Sequence, residues 1–255
     1  MTTASLLEAG LLTTVQDLGR AGHLRYGIPA SGPVDRQAFI LANRLVGNPA
    51  TAAGLECTLM GPTLQMMEES VVAVTGADMS LTVTKREFPR WTASRVGVGD
   101  VVKLGPSRAG MRAYLALAGG VDLPPVLGSR STYLRGRLGG YRGRPLERGD
   151  LLSAGVPPVE PHRLEGRAVR SEMIPGYGDE VEVRVILGPQ DDRFTQEGIA
   201  IFLQGPYEMT HQSDRMGARL RGPVIAHTRG HDIISDGVPL GGVQVAGDGQ
   251  PIVLL

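Results

Sequence analysis

Cysteine is nearly absent: Cys57 is the only one in the chain of 255 residues. An internal disulfide framework is therefore excluded, and a lone thiol cannot build a structural zinc site. Aromatic residues are scarce, at 4%. A charge of one sign is also missing, because Lys+Arg and Asp+Glu number 26 each. That balance argues against nucleic acid or an anionic membrane surface as a global partner. No long apolar run and no basic, apolar and small-residue leader pattern occur, so a soluble, cytoplasmic protein is expected. What is plentiful is turn-forming residues, with 36 Gly and 18 Pro. That composition favours many short strands over long helices.

Short runs with strand character recur at 71–77, 79–85, 100–106, 111–120, 180–189 and 242–247. Several alternate apolar and polar residues, and Gly or Pro punctuates the gaps, which predicts a mainly β fold of barrels or sandwiches. One helix is predicted after Ser31-Gly32-Pro33, with Ser31 or Gly32 as its cap and Asp35 at the positive end of its dipole. Val34, Ala38, Leu41, Ala42, Leu45 and Val46 give it an apolar stripe, and Gly47-Asn48-Pro49 ends it. A second helix is predicted over Thr195–Leu203.

A Gly-Asp pair precedes paired aliphatics at 99–100 and 149–150 and returns at 247–248, which suggests a duplicated turn-and-strand unit. Residues 156–178 are rich in Pro, Gly and charge and are expected to link a module at 1–155 to a second at 179–255. The chain stops on Pro-Ile-Val-Leu-Leu, a strand-like pattern that predicts a C-terminally shortened second module.

Three clusters could carry chemistry. In the first, Gln16, Asp17 and Arg20 lead toward the helix start. Backbone N–H groups beside an arginine suit an anion, whereas an Asp17–Arg20 pairing would simply close a turn. The second runs Gly128-Ser129-Arg130-Ser131-Thr132 and goes on to Arg135, Arg137, Arg142 and Arg144, interleaved with glycine. Guanidinium forks there fit carboxylate, phosphate or bicarbonate-like groups; a solvated face or an acidic partner protein fits equally. The third holds His211, Asp214, Arg215 and Arg219, but no Gly-x-Ser-x-Gly elbow exists to complete a serine triad. His227 and His231 lack the glutamate of a zinc-protease helix, so no metal is expected. Cys57 sits in an apolar strand and reads as a small buried hydrophobe.

Taken in order, TVQDLGRAGHLRYGIPASGPVD, LECTLMGPTL, VTGAD, YLALAGGVDLPPVLGSRST, GPQDDRFT, SDRMGARLRG and SDGVPLGGVQVAGDGQP resemble the KipA family. That family includes the C-type subunit of bacterial ATP-dependent 5-oxoprolinase and the carboxyltransferase-like region of urea amidolyase, often called allophanate hydrolase subunit 2. The resemblance implies two cyclophilin-like β-barrel modules with a few short helices. It also implies partnership with a KipI-like B-type subunit and a third, A-type oxoprolinase subunit, and opening of 5-oxoproline to glutamate with ATP. The urea amidolyase relatives imply an alternative, carboxyl transfer from carboxybiotin to urea or a similar small amide. No Met-Lys-Met for biotin occurs here. A third implied role is a regulator that sequesters a KipI-like kinase inhibitor. Members continue beyond the equivalent of Pro-Ile-Val-Leu-Leu, in keeping with the shortened module. On these grounds Asp17, Asp35 and Asp214 are the expected catalytic residues. Gln16, Arg20, Ser31, Ser129, Arg130, Ser131 and Arg215 are expected to bind substrate or anions.

Overall fold

The computed structural model describes residues 2–234 and 236–255. The chain packs as two compact units, Met1–Val181 and Glu182–Leu255. The first holds strands β1 (Ala4–Glu8), β2 (Leu12–Gln16), β3 (Gly54–Thr58), β4 (Thr63–Met66), β5 (Ser70–Gly76) and β6 (Met79–Val83). It continues with β7 (Arg86–Phe88), β8 (Ala93–Val96), β9 (Val101–Ser107), β10 (Arg112–Leu117) and β11 (Leu151–Leu152), and carries helix α1 (Arg36–Leu45). One sheet has the order β11-β1-β4-β9-β6-β7 and the other β2-β3-β10-β5-β8, with antiparallel pairing throughout. The mainly β expectation is borne out.

The two faces of the second sheet explain its sequence. Val72 and Val74 of β5 and Leu115 and Leu117 of β10 join Leu6, Leu64, Leu81 and Leu104 in one apolar cluster. The alternate residues Val71, Ala73, Tyr114 and Ala116 face a second cluster under α1, with Ala38, Phe39, Ala42 and Leu45. Both strands are thus buried on two sides, which is why β5 reads Ser-Val-Val-Ala-Val-Thr-Gly without polar alternation. Small Ala38 and Ala42 let α1 lie close, and Phe39 meets Tyr114 edge-on at 5.8 Å between ring centroids. Leu164, in the Pro- and Gly-rich stretch, is also fully buried in this second cluster.

α1 starts later than its sequence suggests. Its N-cap is Asp35, whose Oδ1 accepts a hydrogen bond from the Ala38 N–H at 2.9 Å. Ser31 and Gly32 instead turn the chain with left-handed backbone, at φ 58° and 99°. A Ser-Gly-Pro run imitates a cap in sequence, but these angles lie outside the region a cap adopts.

The second unit holds α2 (Gln196–Gln204) and strands β12 (Glu208–Met209), β13 (Gly217–Arg221), β14 (Val243–Val245) and β15 (Pro251–Leu254). Their order is β12-β13-β15-β14. α2 lies where the sequence predicts a helix, and Thr195 caps it by accepting from the Gly198 N–H at 2.9 Å. The strand predicted at 180–189 does not form. Its alternation fits a strand, but among the described residues no neighbour pairs with it, and Ile186 is left exposed. No helix among the described residues is long and apolar enough to cross a membrane.

Candidate functional site

β2 runs straight into the Gln16–Arg20 loop, and the 129–132 loop closes over it. Asp17 is the clasp. Its Oδ1 accepts from the Ser129 hydroxyl at 2.5 Å, the Ser131 hydroxyl at 2.7 Å and the Gly19 N–H at 2.9 Å. Its Oδ2 accepts from the Arg130 N–H at 2.5 Å. The Asp17 N–H in turn donates to Ser131 Oγ at 2.9 Å. Burial alone would raise the Asp17 carboxyl. The bonds from Ser129, Arg130, Ser131 and Gly19 outweigh it and hold the group below its ordinary value. A carboxylate so occupied and so stabilised as an anion is a poor proton acceptor. Its geometry has Asp17 joining the 17–20 and 129–131 loops.

Arg20 lies behind the clasp, 2% exposed. Its Nη1 donates to Ser31 Oγ at 3.1 Å, and its Nη2 donates to the Ser131 carbonyl. Burial lowers the Arg20 guanidinium from its ordinary value, and the Asp17 charge works in the opposite direction. Gln16 is fully buried. Its Nε2 donates to Thr14 Oγ1 at 3.0 Å and to the Thr132 carbonyl at 3.3 Å, while its Oε1 accepts from the Gly32 N–H at 3.1 Å. Gln16, Asp17, Arg20, Ser31, Ser129, Arg130 and Ser131 therefore form one hydrogen-bonded assembly. Arg130 keeps its side chain at the surface, with Nε donating to the Leu123 carbonyl at 2.5 Å and Nη2 3.5 Å from Asp122.

Asp35 stands at the edge of a second polar group that the sequence pattern concealed. Cross-strand register places Glu56 of β3 beside Tyr114 of β10. Tyr114 donates to Glu56 Oε2 at 3.0 Å, and the same oxygen accepts from the Val34 N–H at 2.9 Å. The Asp35 N–H donates to the Tyr114 hydroxyl at 2.7 Å, and Tyr177 donates to Asp35 Oδ2 at 2.7 Å. Burial is the main reason the Tyr114 phenol is raised; burial and the Asp35 carboxylate raise that of Tyr177. Arg112, two residues before Tyr114 on the same face, brings its Nε to 3.6 Å from Glu56 Oε1. Its Nε and Nη1 are buried without a hydrogen-bond partner. Burial lowers its guanidinium, with Tyr114 opposing that shift.

Glu56 had one legible signal, a charge inside the apolar run Leu-Glu-Cys-Thr-Leu, because a buried carboxylate demands partners. Arg112 and Tyr114 had none, since β10 reads as an ordinary core strand. Cys57, next to Glu56 but on the opposite face, is fully buried and its thiol is pushed up to about 12 by that burial. It is the inert hydrophobe its sequence predicts. Asp214 and Arg215 belong to the second unit. Asp214 Oδ1 accepts from the N–H groups of Met216 at 2.8 Å and Gly217 at 3.3 Å, closing the turn into β13. Arg215 is half-buried, and desolvation brings its guanidinium down to about 10.

The family described as "Carboxyltransferase domain, subdomain A and B" matches residues 26–255. The chain is 37% identical over 252 residues to the C subunit of 5-oxoprolinase from Escherichia coli, covering 98% of this chain and 78% of that protein. It is 34% identical over 277 residues to urea amidolyase of Saccharomyces cerevisiae, covering 99% of this chain but 15% of that one. The crystal structure of the K. lactis urea amidolyase superposes with a TM-score of 0.87 at 34% identity, over 99% of this chain and 16% of that chain. These matches bear out the resemblance carried by the seven motifs.

Proposed function

This chain belongs to the carboxyltransferase-domain family, subdomains A and B, and from that premise we propose that it is the C-type subunit of a 5-oxoprolinase. The observation that carries this reading is the match to a 5-oxoprolinase C subunit, 37% identical over 98% of this chain. In the proposed complex it works with a KipI-like B-type subunit and a third, A-type one, ATP is consumed, and 5-oxoproline is opened to glutamate. The chain by itself is inactive or weak.

A lactam carbonyl is a poor electrophile, and phosphorylation of its oxygen makes the carbon open to water. Such a path needs a fixed substrate and cations near the developing phosphoryl charge. The Gln16–Arg20 loop supports the first need, because Asp17 holds the 129–131 loop while Arg20 and Gln16 hold the Ser31–Gly32 turn through buried hydrogen bonds. Gln16, Asp17 and Arg20 are positioning residues in this reading. The groups with bonding capacity to spare are Arg112, Arg130, Ser31 and Asp35. Arg112 takes the substrate carboxylate: its Nε faces Glu56 at 3.6 Å, and its Nε and Nη1 make no hydrogen bond.

In the reconstituted complex, Arg112→Met should raise KM for 5-oxoproline by roughly 10- to 100-fold with a smaller change in kcat, the loss of a charged hydrogen-bond anchor. Arg112→Lys should recover part of it. An unchanged KM in Arg112→Met removes Arg112 from the substrate site.

A second reading is favoured by the fold match to urea amidolyase: carboxyl transfer from carboxybiotin to a small amide. Production of glutamate from 5-oxoproline, ATP and the assembled subunits separates the two.

A further inference from the structure

The glycine-interleaved arginines after Ser131 are not used by the clasp. Residues 133–144 fold back on themselves, with the Tyr133 N–H on the Leu138 carbonyl at 2.8 Å and the Gly143 N–H on the Gly139 carbonyl at 2.8 Å. The result is a cleft of about 510 Å³ lined by Leu134, Arg137, Arg142, Gly143, Arg144 and Pro145. Its three arginines are not equivalent. Arg144 is neutralised: Nη1 and Nη2 each reach an Asp150 carboxylate oxygen at 2.8 Å, and Glu147 lies 3.7 Å away. Arg137 and Arg142 are exposed, and their side chains make no hydrogen bond or ion pair among the described residues. Arg142 rests over the Tyr141 ring at 5.6 Å, and Arg144 is 5.2 Å from the same ring.

Both free arginines also occupy left-handed backbone, Arg137 at φ 49° and Arg142 at φ 57°. Side chains with a Cβ are disfavoured there, and glycine would hold the same loop at lower steric cost. The loop is tightly packed at this point, because a methyl group on Gly143 would overlap the Arg137 carbonyl. Left-handed non-glycine backbone also occurs at Leu59, Trp91 and Leu127, so it is the exposed pair of guanidiniums on one cleft, not the backbone alone, that marks the site.

We propose that this cleft binds a phosphate-type oxyanion, as carried by inorganic phosphate, pyrophosphate or a nucleotide, with Arg137 and Arg142 as its cationic arms. Two guanidinium forks can share one carboxylate, but a phosphoryl group or diphosphate offers three or more charged oxygens at wider angles and engages both forks more fully. Arg142 lies over the Tyr141 ring and is near enough to Asp150 to help lower its carboxyl, while Arg144 makes the direct bonds to that carboxylate. The loop geometry carries this site independently of the 5-oxoprolinase reading.

Calorimetric titration of the purified full chain with phosphate, pyrophosphate, ADP and glutamate tests it. Binding of the phosphate-bearing probes is expected, weakening with added salt, and glutamate should bind at least tenfold more weakly. Tighter binding of ADP than of pyrophosphate identifies a nucleotide as the source; the reverse order identifies a diphosphate without a base. The double variant Arg137→Gly/Arg142→Gly should lose at least tenfold in affinity while its melting temperature stays level or rises, since the backbone strain is relieved. If that variant unfolds, Arg137→Gln and Arg142→Gln give the same affinity readout separately. Absence of phosphate-type binding, preference for glutamate, or affinity unchanged in the variants overturns the proposal.

Discussion

Replacing Asp17 by alanine is expected to cost about 3–5 kcal/mol of folding stability, the range seen when a buried, fully bonded charge is removed. The reason is in its partners. Ser129, Ser131 and the N–H groups of Gly19 and Arg130 all lose their acceptor. The buried Arg20 guanidinium loses the negative charge that offsets its desolvation. Chemical denaturation of wild type and variant measures the difference, and a loss under about 1 kcal/mol would be that of an ordinary surface change. Acid titration supplies an independent check. The Asp17 carboxyl is held below its ordinary 3.8 in the folded chain. Its contribution to stability is therefore complete above about pH 4 and is lost as the pH falls through the folded value. Asp17→Asn cannot titrate, so its stability should depend less on pH below about 4 than that of the wild type.

The second large effect is expected from Gly139→Ala. Gly139 has φ 67° and sits against the clasp. A methyl group there would overlap the Ser131 carbonyl oxygen and stand 2.6 Å from Arg20 Nη2. The left-handed backbone alone costs an alanine roughly 1–2 kcal/mol. Displacing a backbone carbonyl that holds a buried guanidinium adds to that, for a total of about 2–4 kcal/mol. Because the displaced carbonyl belongs to the 129–131 loop, the reconstituted complex should also lose most of its turnover. Differential scanning calorimetry beside a turnover assay reads both, and a variant with wild-type melting and wild-type turnover contradicts the packing described.

Much of the fold was legible because strands with one or two buried faces leave a periodic record. β6 and β9 fall where alternation places them, and α2 where the sequence predicts a helix over Thr195–Leu203. What failed did so for local reasons. The Ser31-Gly32-Pro33 run carries the chemistry of a cap but turns the chain instead, and the cap passes to Asp35. Residues 180–189 alternate like a strand, but among the described residues no strand pairs with them.

For the site, the loop residues Gln16 to Arg20 and Ser129 to Ser131 were both visible. That they clasp each other was not, because 112 residues separate Asp17 from Ser129 and no periodicity spans that gap. Glu56, Arg112 and Tyr114 were missed because each lies in a strand whose neighbours are apolar. Their meeting depends on the β3–β10 register, a tertiary fact. The physical consequence is a shift of roles. The residues easiest to find in the sequence are buried holders, while Arg112, a buried cation with nitrogens that make no hydrogen bond, lies in a core strand.

That this rigid two-loop assembly serves 5-oxoproline opening is tested most directly by one assay. The chain is combined with its A-type and B-type partners, 5-oxoproline and ATP, and glutamate and ADP are quantified together. Glutamate and ADP are expected to form in step, dependent on this chain and lost in Asp17→Ala. No glutamate from the full assembly, with carboxyl transfer from carboxybiotin to urea instead, would contradict it.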